Sequence, residues 1–170
     1  MQKYSNENKE IRYAARDEIE QIIKAENIDR EHFKEAAKDE YDKIIRKFYY
    51  TFCDYKNYPK IHLNYVWLNF RKTVTFRELV RCDDWEKYID NIDILIPNGL
   101  ESEEYFLITD YGWVYEGRLA EIKKVLKETT AGCFDDFYIL PKRSQFDWVI
   151  CHCDDGDCMV NILAKGNRLT

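Results

Sequence analysis

At 170 residues the chain is long enough for one domain that buries a sizeable apolar core without disulfides or metal staples. A content of 45% hydrophobic and 34% charged residues excludes a disordered chain, and no apolar run approaches the roughly 18 residues of a membrane span. The net charge is −6, with the whole acidic excess in residues 61–170, which repels phosphate backbones. We therefore expect a cytoplasmic protein that binds neither nucleic acid nor membranes and whose partner is a basic protein.

Two amphipathic patterns occupy residues 1–52, the helical N-terminal part of the chain. The first predicts a helix that begins near Asn6 and ends at Asn27, because apolar residues recur every three or four positions. The second repeats this spacing and predicts a helix that Asp29 caps and that runs to Phe52. Two helices joined so briefly are expected to pair antiparallel.

A connector at residues 53–60 leads into residues 61–170, the part expected to build a sheet. Alternating β-branched and aromatic residues predict strands, and a helical pattern over 119–126 predicts one helix that crosses the sheet. The predicted strands are residues 73–79, 104–109, 112–116, 137–140, 146–151 and 158–164. Residues 61–70 fit either a short helix or a strand.

The order of these patterns predicts the fold class. We expect a single α+β domain over residues 1–170, in which an N-terminal helical pair is followed by an antiparallel β-sheet of about five or six strands with one crossing helix. A short helix through Ile89 accompanies the sheet.

Cys151, Cys153 and Cys158 cluster around an acidic turn near the C-terminus. If this segment is a hairpin, strand alternation puts Cys151 and Cys153 on one face and brings Cys158 beside Cys153. Such thiols can hold zinc, form a redox pair or line a core. Alternation directs His152 to the opposite face, which weakens both a four-ligand zinc site and a catalytic dyad. We expect no cofactor, and keep as alternatives a metal or redox protein built on the three cysteines and a hydrolase that uses His152.

Carboxylates and aromatic side chains around predicted turns form the candidate binding surface. The 26 aromatic residues, of which 13 are tyrosines, exceed what a core of this size requires, so some tyrosines must reach the surface. The predicted partner-binding residues are Asp110, Tyr111, Trp113, Tyr115, Glu116, Asp135, Asp154, Asp155 and Asp157. Complementary charge speeds encounter and aromatic anchors slow release. Trp113 and Tyr115 are the possible anchors, although pairing inside a sheet is the ordinary role of such rings.

Four segments of the second half follow one another in a recognisable order: Trp113-Val-Tyr-Glu-Gly, a helix, Phe137-Tyr-Ile-Leu and Phe146-Asp-Trp-Val-Ile-Cys-His. This succession resembles an uncharacterised bacterial family of small cytosolic proteins, in which a WVYEG strand, a helix and an EYYIVSKKxDWLxC strand pair recur. Asp136-Phe137 stands where that family has Glu-Tyr, and Pro141 interrupts the VSKK step.

The resemblance covers roughly residues 104–155 and carries over no catalytic residue. It implies a class only, that of standalone immunity-type proteins that neutralise toxins. Together with the acidic surface, it leads to the hypothesis of a non-enzymatic protein-binding module, in its most concrete form an immunity-type inhibitor of a basic toxin.

Overall fold

The computed structural model describes residues 6–81, 85–130, 133, 135–152 and 157–163. The helices are α1 (Asn6–Ala25), α2 (Tyr41–Phe52), α3 (Trp85–Asp90) and α4 (Leu119–Glu128), with 3-10 helices at Val66–Asn69 and Ile92–Leu95. The strands are β1 (Phe33–Glu35), β2 (Val74–Arg81), β3 (Tyr105–Thr109), β4 (Val114–Gly117), β5 (Phe137–Pro141), β6 (Trp148–His152) and β7 (Asp157–Leu163). The predicted α+β class is confirmed. Within the described residues no helix combines the length and apolar character needed to cross a bilayer.

The sheet is antiparallel throughout the described strands. Five strands in the order β1-β4-β3-β5-β6 form its body, and β7 and β2 extend it on the β6 side. The predicted β3–β4 hairpin and the β5–β6–β7 meander are both present. Because β4 and β5 both pair antiparallel with β3, they run parallel to each other and need a crossover, which α4 provides as expected.

Strand alternation divides the core into two layers on opposite sides of the sheet. One layer, which we call the α1 face, packs α1, α3 and α4 on one set of strand residues that includes Leu107 and Ile150. The other, the α2 face, packs α2 and the chain after it on the alternate residues, among them Ile108 and Cys151. Adjacent residues of one strand therefore serve different cores.

The predicted antiparallel pairing of the two N-terminal helices is wrong, because α1 and α2 lie on opposite faces of the sheet. The second helix begins at Tyr41, and Phe33 lies instead in β1, where its ring stacks on Tyr115 with 5.3 Å between ring centroids. The apolar spacing at positions 33, 37 and 41 is compatible with a helix. Phe33 nevertheless lies in a strand, because β1 can pair with the edge of β4 that no other described strand occupies. Gly117 permits the approach, since a Cβ there would lie 2.2 Å from the carbonyl oxygen of His32.

Two further expectations are decided by the structure. Residues 61–70, for which the sequence allowed a helix or a strand, contain the 3-10 helix Val66–Asn69. The register of the C-terminal hairpin differs from the expected one, because the residue opposite Cys158 in the ladder is His152, and Cys151 pairs with Met159. Cys153 lies outside the described residues.

Candidate functional site

The turn between β3 and β4 is built by local backbone bonds. The Gly112 amide donates to the Thr109 carbonyl at 2.8 Å, and the Thr109 amide donates to the Trp113 carbonyl at 3.0 Å. Gly112 has φ of +77°, a conformation that side chains disfavour, so β4 begins at Val114 rather than at the predicted residue 112. The Tyr111 amide donates to the Asp110 carboxylate at 2.9 Å, which fixes this carboxylate at the tip of the hairpin.

Three aspartates meet at this end of the sheet. The Asp110 amide donates to the Asp136 carbonyl at 3.0 Å, and the Asp135 amide lies 3.4 Å from the Asp110 carboxylate. Asp110 is 4% exposed and Asp136 is fully buried, whereas Asp135 is exposed. Burial raises the pKa of Asp110 to about 7; the charges of Asp135 and Asp136 add to the increase, and two backbone hydrogen bonds oppose it. This carboxyl therefore titrates near neutral pH.

Tyr65 is held against these aspartates in an unusual backbone conformation. It is a non-glycine residue with φ of 51° and ψ of 36°, a left-handed geometry that costs about 1–2 kcal/mol. Its amide donates to the Asp136 carboxylate at 2.6 Å. The hydroxyl of Tyr138 donates to the Leu63 carbonyl and lies 3.4 Å from the same Asp136 oxygen. One buried carboxylate thus holds the segment that presents Tyr65.

Tyr65 is 41% exposed, and its ring contacts Trp67 edge to face, with 5.2 Å between ring centroids. We call Tyr65, Asp110, Tyr111, Asp135 and Asp136 the acidic edge. Backbone strain at an exposed aromatic residue is typical of binding sites, where the surrounding structure stabilises a conformation that the residue alone would avoid.

Exposed apolar side chains concentrate in residues 50–68, which we call the tyrosine connector. This segment includes Tyr65 and so adjoins the acidic edge. Among the described residues eight large hydrophobic side chains are exposed, and five of them belong to it. These five are Tyr50, Tyr55, Tyr58, Tyr65 and Leu68. The connector is nevertheless anchored, because the Tyr49 hydroxyl lies 2.9 Å and 3.0 Å from the carbonyl oxygens of Tyr58 and Lys60.

Trp113 and Tyr115, the possible anchors, belong to the core of the α1 face. Trp113 is 5% exposed; its indole nitrogen donates to the Arg12 carbonyl at 2.7 Å, and the Arg12 guanidinium lies 4.6 Å from the ring centroid. Tyr115 is fully buried, and its hydroxyl donates to Glu20 at 3.2 Å. Alternation along β4 turns Tyr115 inward under α1. Neither ring is exposed at the surface, where a partner could contact it.

The other predicted binding residues lie in different environments. The Glu116 carboxylate lies 3.1 Å from the ammonium of Lys142 and 3.7 Å from that of Lys34, so its charge is neutralised within the chain. Asp154 and Asp155 lie outside the described residues. Asp157 is the first residue of β7, where its backbone pairs with Arg81. Of the nine candidates, the structure therefore brings Asp110, Tyr111 and Asp135 together.

The thiol alternative rests on residues that are only partly described. Cys151 is fully buried in the core of the α2 face, and neither Cys153 nor the side chain of Cys158 is among the described parts of the chain. Within the described residues no group of three or more His, Cys, Asp and Glu side chains is arranged to hold a metal. The zinc or redox protein stays a prediction.

His152 lies on the α1 side of its strand, as alternation predicts. Its ring stacks on Phe137 with 4.8 Å between centroids and 4° between planes, and lies 6.2 Å from Tyr88. These contacts describe cross-strand packing. The hydrolase alternative stays a prediction that the packing of His152 does not favour.

Sequence reasoning missed Tyr65 and Asp136. The available signal was the run of tyrosines between residues 50 and 65, which follows neither a helical nor a strand period and so predicts rings that are not all committed to a core. Asp136 carried no signal, because its role depends on the chain segment at Tyr65, which is 71 residues away in sequence.

Comparison with known proteins identifies a family. A family model described as a family of unknown function (DUF6756) matches residues 11–169. No curated protein matches the chain, and no solved structure matches it. The matched region extends well beyond residues 104–155, on which the sequence resemblance rested.

Proposed function

We propose that this chain, which belongs to the family of unknown function DUF6756, is a non-enzymatic protein-binding module. Its contact surface combines the acidic edge with the adjoining part of the tyrosine connector. The most concrete form of this function is that of an immunity-type inhibitor which covers a basic toxin.

The concentration of exposed apolar side chains carries the proposal. Five of the eight large hydrophobic residues that are exposed in the described chain fall within residues 50–68. Scattered single exposures are normal in soluble proteins, but clustered ones mark interaction sites. Tyrosine and tryptophan are the residues that most often anchor protein interfaces, because they bury large areas and lose little conformational entropy.

Charge complementarity supports a basic partner at the Tyr65 end of this surface. Asp110 is costly to ionise because it is buried beside two other aspartates, and a partner's lysine or arginine would stabilise its charged form. Asp135 is exposed at the same place and would steer the encounter. The other end of the connector carries the exposed cations Lys56 and Lys60, so the basic contact is assigned to the acidic edge alone.

The experiment measures binding of the purified chain to a basic protein encoded beside its gene, by calorimetry at low and high salt. Tyr65→Ala and Asp135→Asn are each expected to weaken binding by about tenfold, the size of effect typical of interface anchors. Ile94→Ala and Glu128→Gln are the matched controls, because they remove an exposed apolar and an exposed acidic side chain elsewhere. Both controls should bind as the unmodified chain does.

Two results would overturn the proposal. One is the absence of any salt-sensitive complex with the neighbouring basic protein. The other is a loss of affinity in Ile94→Ala equal to that in Tyr65→Ala, which would show that the connector has no special part in binding. Thermal unfolding of each variant separates lost contacts from lost folding.

A further inference from the structure

A depression of about 290 Å³ on the α2 face is lined mainly by basic side chains, although the chain as a whole is acidic. It lies between the first turns of α2 and the turn that joins β5 to β6. The lining residues are Glu40, Lys43, Ile44, Lys47, Phe106, Lys142, Arg143 and Phe146. Four of these are basic and one is acidic, in a protein whose net charge is −6. Such a local reversal favours an anionic ligand.

Two of the four cations are already neutralised. The Lys43 ammonium lies 2.5 Å from the Glu40 carboxylate. The Lys142 ammonium lies 2.7 Å from Glu104 and 3.1 Å from Glu116. Their charge is balanced within the chain, and Arg143 is paired with Asp147, so any affinity for an anion depends on Lys47 and on the remaining donors of Arg143.

Lys47 has an ammonium group that is poorly satisfied. Its Nζ donates to the Arg143 carbonyl at 2.8 Å and lies 3.9 Å from the centroid of the Phe146 ring. In the described part of the chain no carboxylate forms an ion pair with it, and an ammonium has three protons to donate. Burial lowers the pKa of Lys47, as expected for a cation without a counter-ion.

Arg143 stands beside it with a donor to spare. Its Nη2 is paired with the Asp147 carboxylate at 2.8 Å, while its Nε is buried and makes no hydrogen bond within the described part of the chain. A buried donor without an acceptor costs free energy, which an acceptor in the depression would recover. The guanidinium fork and an adjacent ammonium are the groups that recognise tetrahedral oxyanions best.

We propose that this depression binds an oxyanion of the phosphate class, through Lys47 and Arg143. The apolar floor of Ile44, Phe106 and Phe146 suits the organic part of a phosphomonoester. None of the lining residues belongs to the acidic edge or the tyrosine connector, so the site does not rest on the proposed protein-binding function.

The test titrates the full chain with inorganic phosphate and with phenyl phosphate at constant ionic strength, followed by NMR or calorimetry. Lys47→Gln is expected to weaken binding of both by about tenfold, the effect of removing one charge-assisted contact. Lys124→Gln removes an exposed lysine of α4 and should leave both affinities unchanged. Asp147→Asn removes the carboxylate that competes for Arg143 and should tighten binding.

The two probes distinguish the source of the anion. Tighter binding of phenyl phosphate identifies an organic phosphate as the ligand class, and equal binding identifies free phosphate. The proposal is overturned if neither probe binds at millimolar concentration, or if Lys47→Gln and Asp147→Asn variants that unfold at the normal temperature bind as the unmodified chain does.

Discussion

The core of the α1 face and the tyrosine connector are both rich in aromatic residues. The rings are buried in the core, and the tyrosine rings are exposed in the connector. On the α1 face the polar ends of Trp113 and Tyr115 find partners inside the chain, at the Arg12 carbonyl and Glu20. In the connector the tyrosine rings are exposed while the backbone beneath them is anchored. An aromatic residue beside charges is therefore not by itself a sign of a binding surface. What matters is whether another segment of the chain covers the ring.

Glu35 illustrates how completely the α1 face uses its charges. Its carboxylate accepts hydrogen bonds from the Arg16 guanidinium at 2.6 Å and 3.0 Å and from the Tyr41 hydroxyl at 2.5 Å. Burial alone would raise the pKa of Glu35, but the hydrogen bonds from Arg16 and Tyr41 outweigh it and lower the pKa. Among the described residues, the Asp110 carboxylate has backbone amides and no cation among its hydrogen-bonding partners.

The largest expected effect tests this contrast through stability. Trp113→Ala should lower the free energy of unfolding by about 3–5 kcal/mol, because it empties a buried ring site and removes the contact with Arg12. Tyr65→Ala, made at an exposed ring, should change it by no more than about 0.5 kcal/mol. Urea denaturation of both variants gives the comparison. Equal losses would mean that the connector is part of the core after all.

A pH-dependent effect comes next in size. Because the pKa of Asp110 is raised to about 7, this carboxyl binds its proton more tightly in the folded than in the unfolded chain. Its contribution to stability is therefore present at low pH, falls as the pH rises from about 4 to 7, and is constant above that. A shift of this size corresponds to at most about 4 kcal/mol.

The measurement compares the unmodified chain with Asp110→Asn, which does not titrate. The stability of the unmodified chain relative to the variant should fall as the pH rises through this window. A flat difference between pH 4 and pH 8 would show that Asp110 is ionised normally, and would remove the argument that a basic partner relieves its burial.

The smallest expected effect separates stability from function at Tyr65. Tyr65→Gly should raise the free energy of unfolding by up to about 1 kcal/mol, because glycine adopts the left-handed conformation without strain. The same variant should lose affinity for the basic partner, since the ring is gone. Asn27→Gly is the matched control: its φ is 50°, but asparagine already tolerates that region, so neither stability nor binding should change appreciably.

A Tyr65→Gly chain that is less stable than the unmodified chain would contradict the stability prediction. Unchanged affinity of the same variant for the basic partner would contradict the binding prediction. Thermal unfolding and calorimetry of the same preparations provide the two readings.

Elements with strong local patterns were predictable from the sequence. The first helix, the β3–β4 hairpin, α4 and the strands of the meander all have periodic apolar residues or turn signals within a few positions. The edge strand β1 was not predictable, because three residues have no readable period and its formation depends on the edge of β4. The cross-strand pairing of His152 with Cys158 could not be predicted from the sequence either, because the register depends on pairing across the hairpin.

The sequence by itself determined the α+β class and the positions of most strands and helices. Only the tertiary structure decided that Trp113 and Tyr115 are core residues, that Asp110 is buried, and that Tyr65 is displayed. The reason is physical. The elements that were predicted have their pattern among near neighbours in the chain, whereas burial depends on which distant segment covers a residue. Tyr65 and Asp136, for example, are brought together by a contact that spans 71 positions.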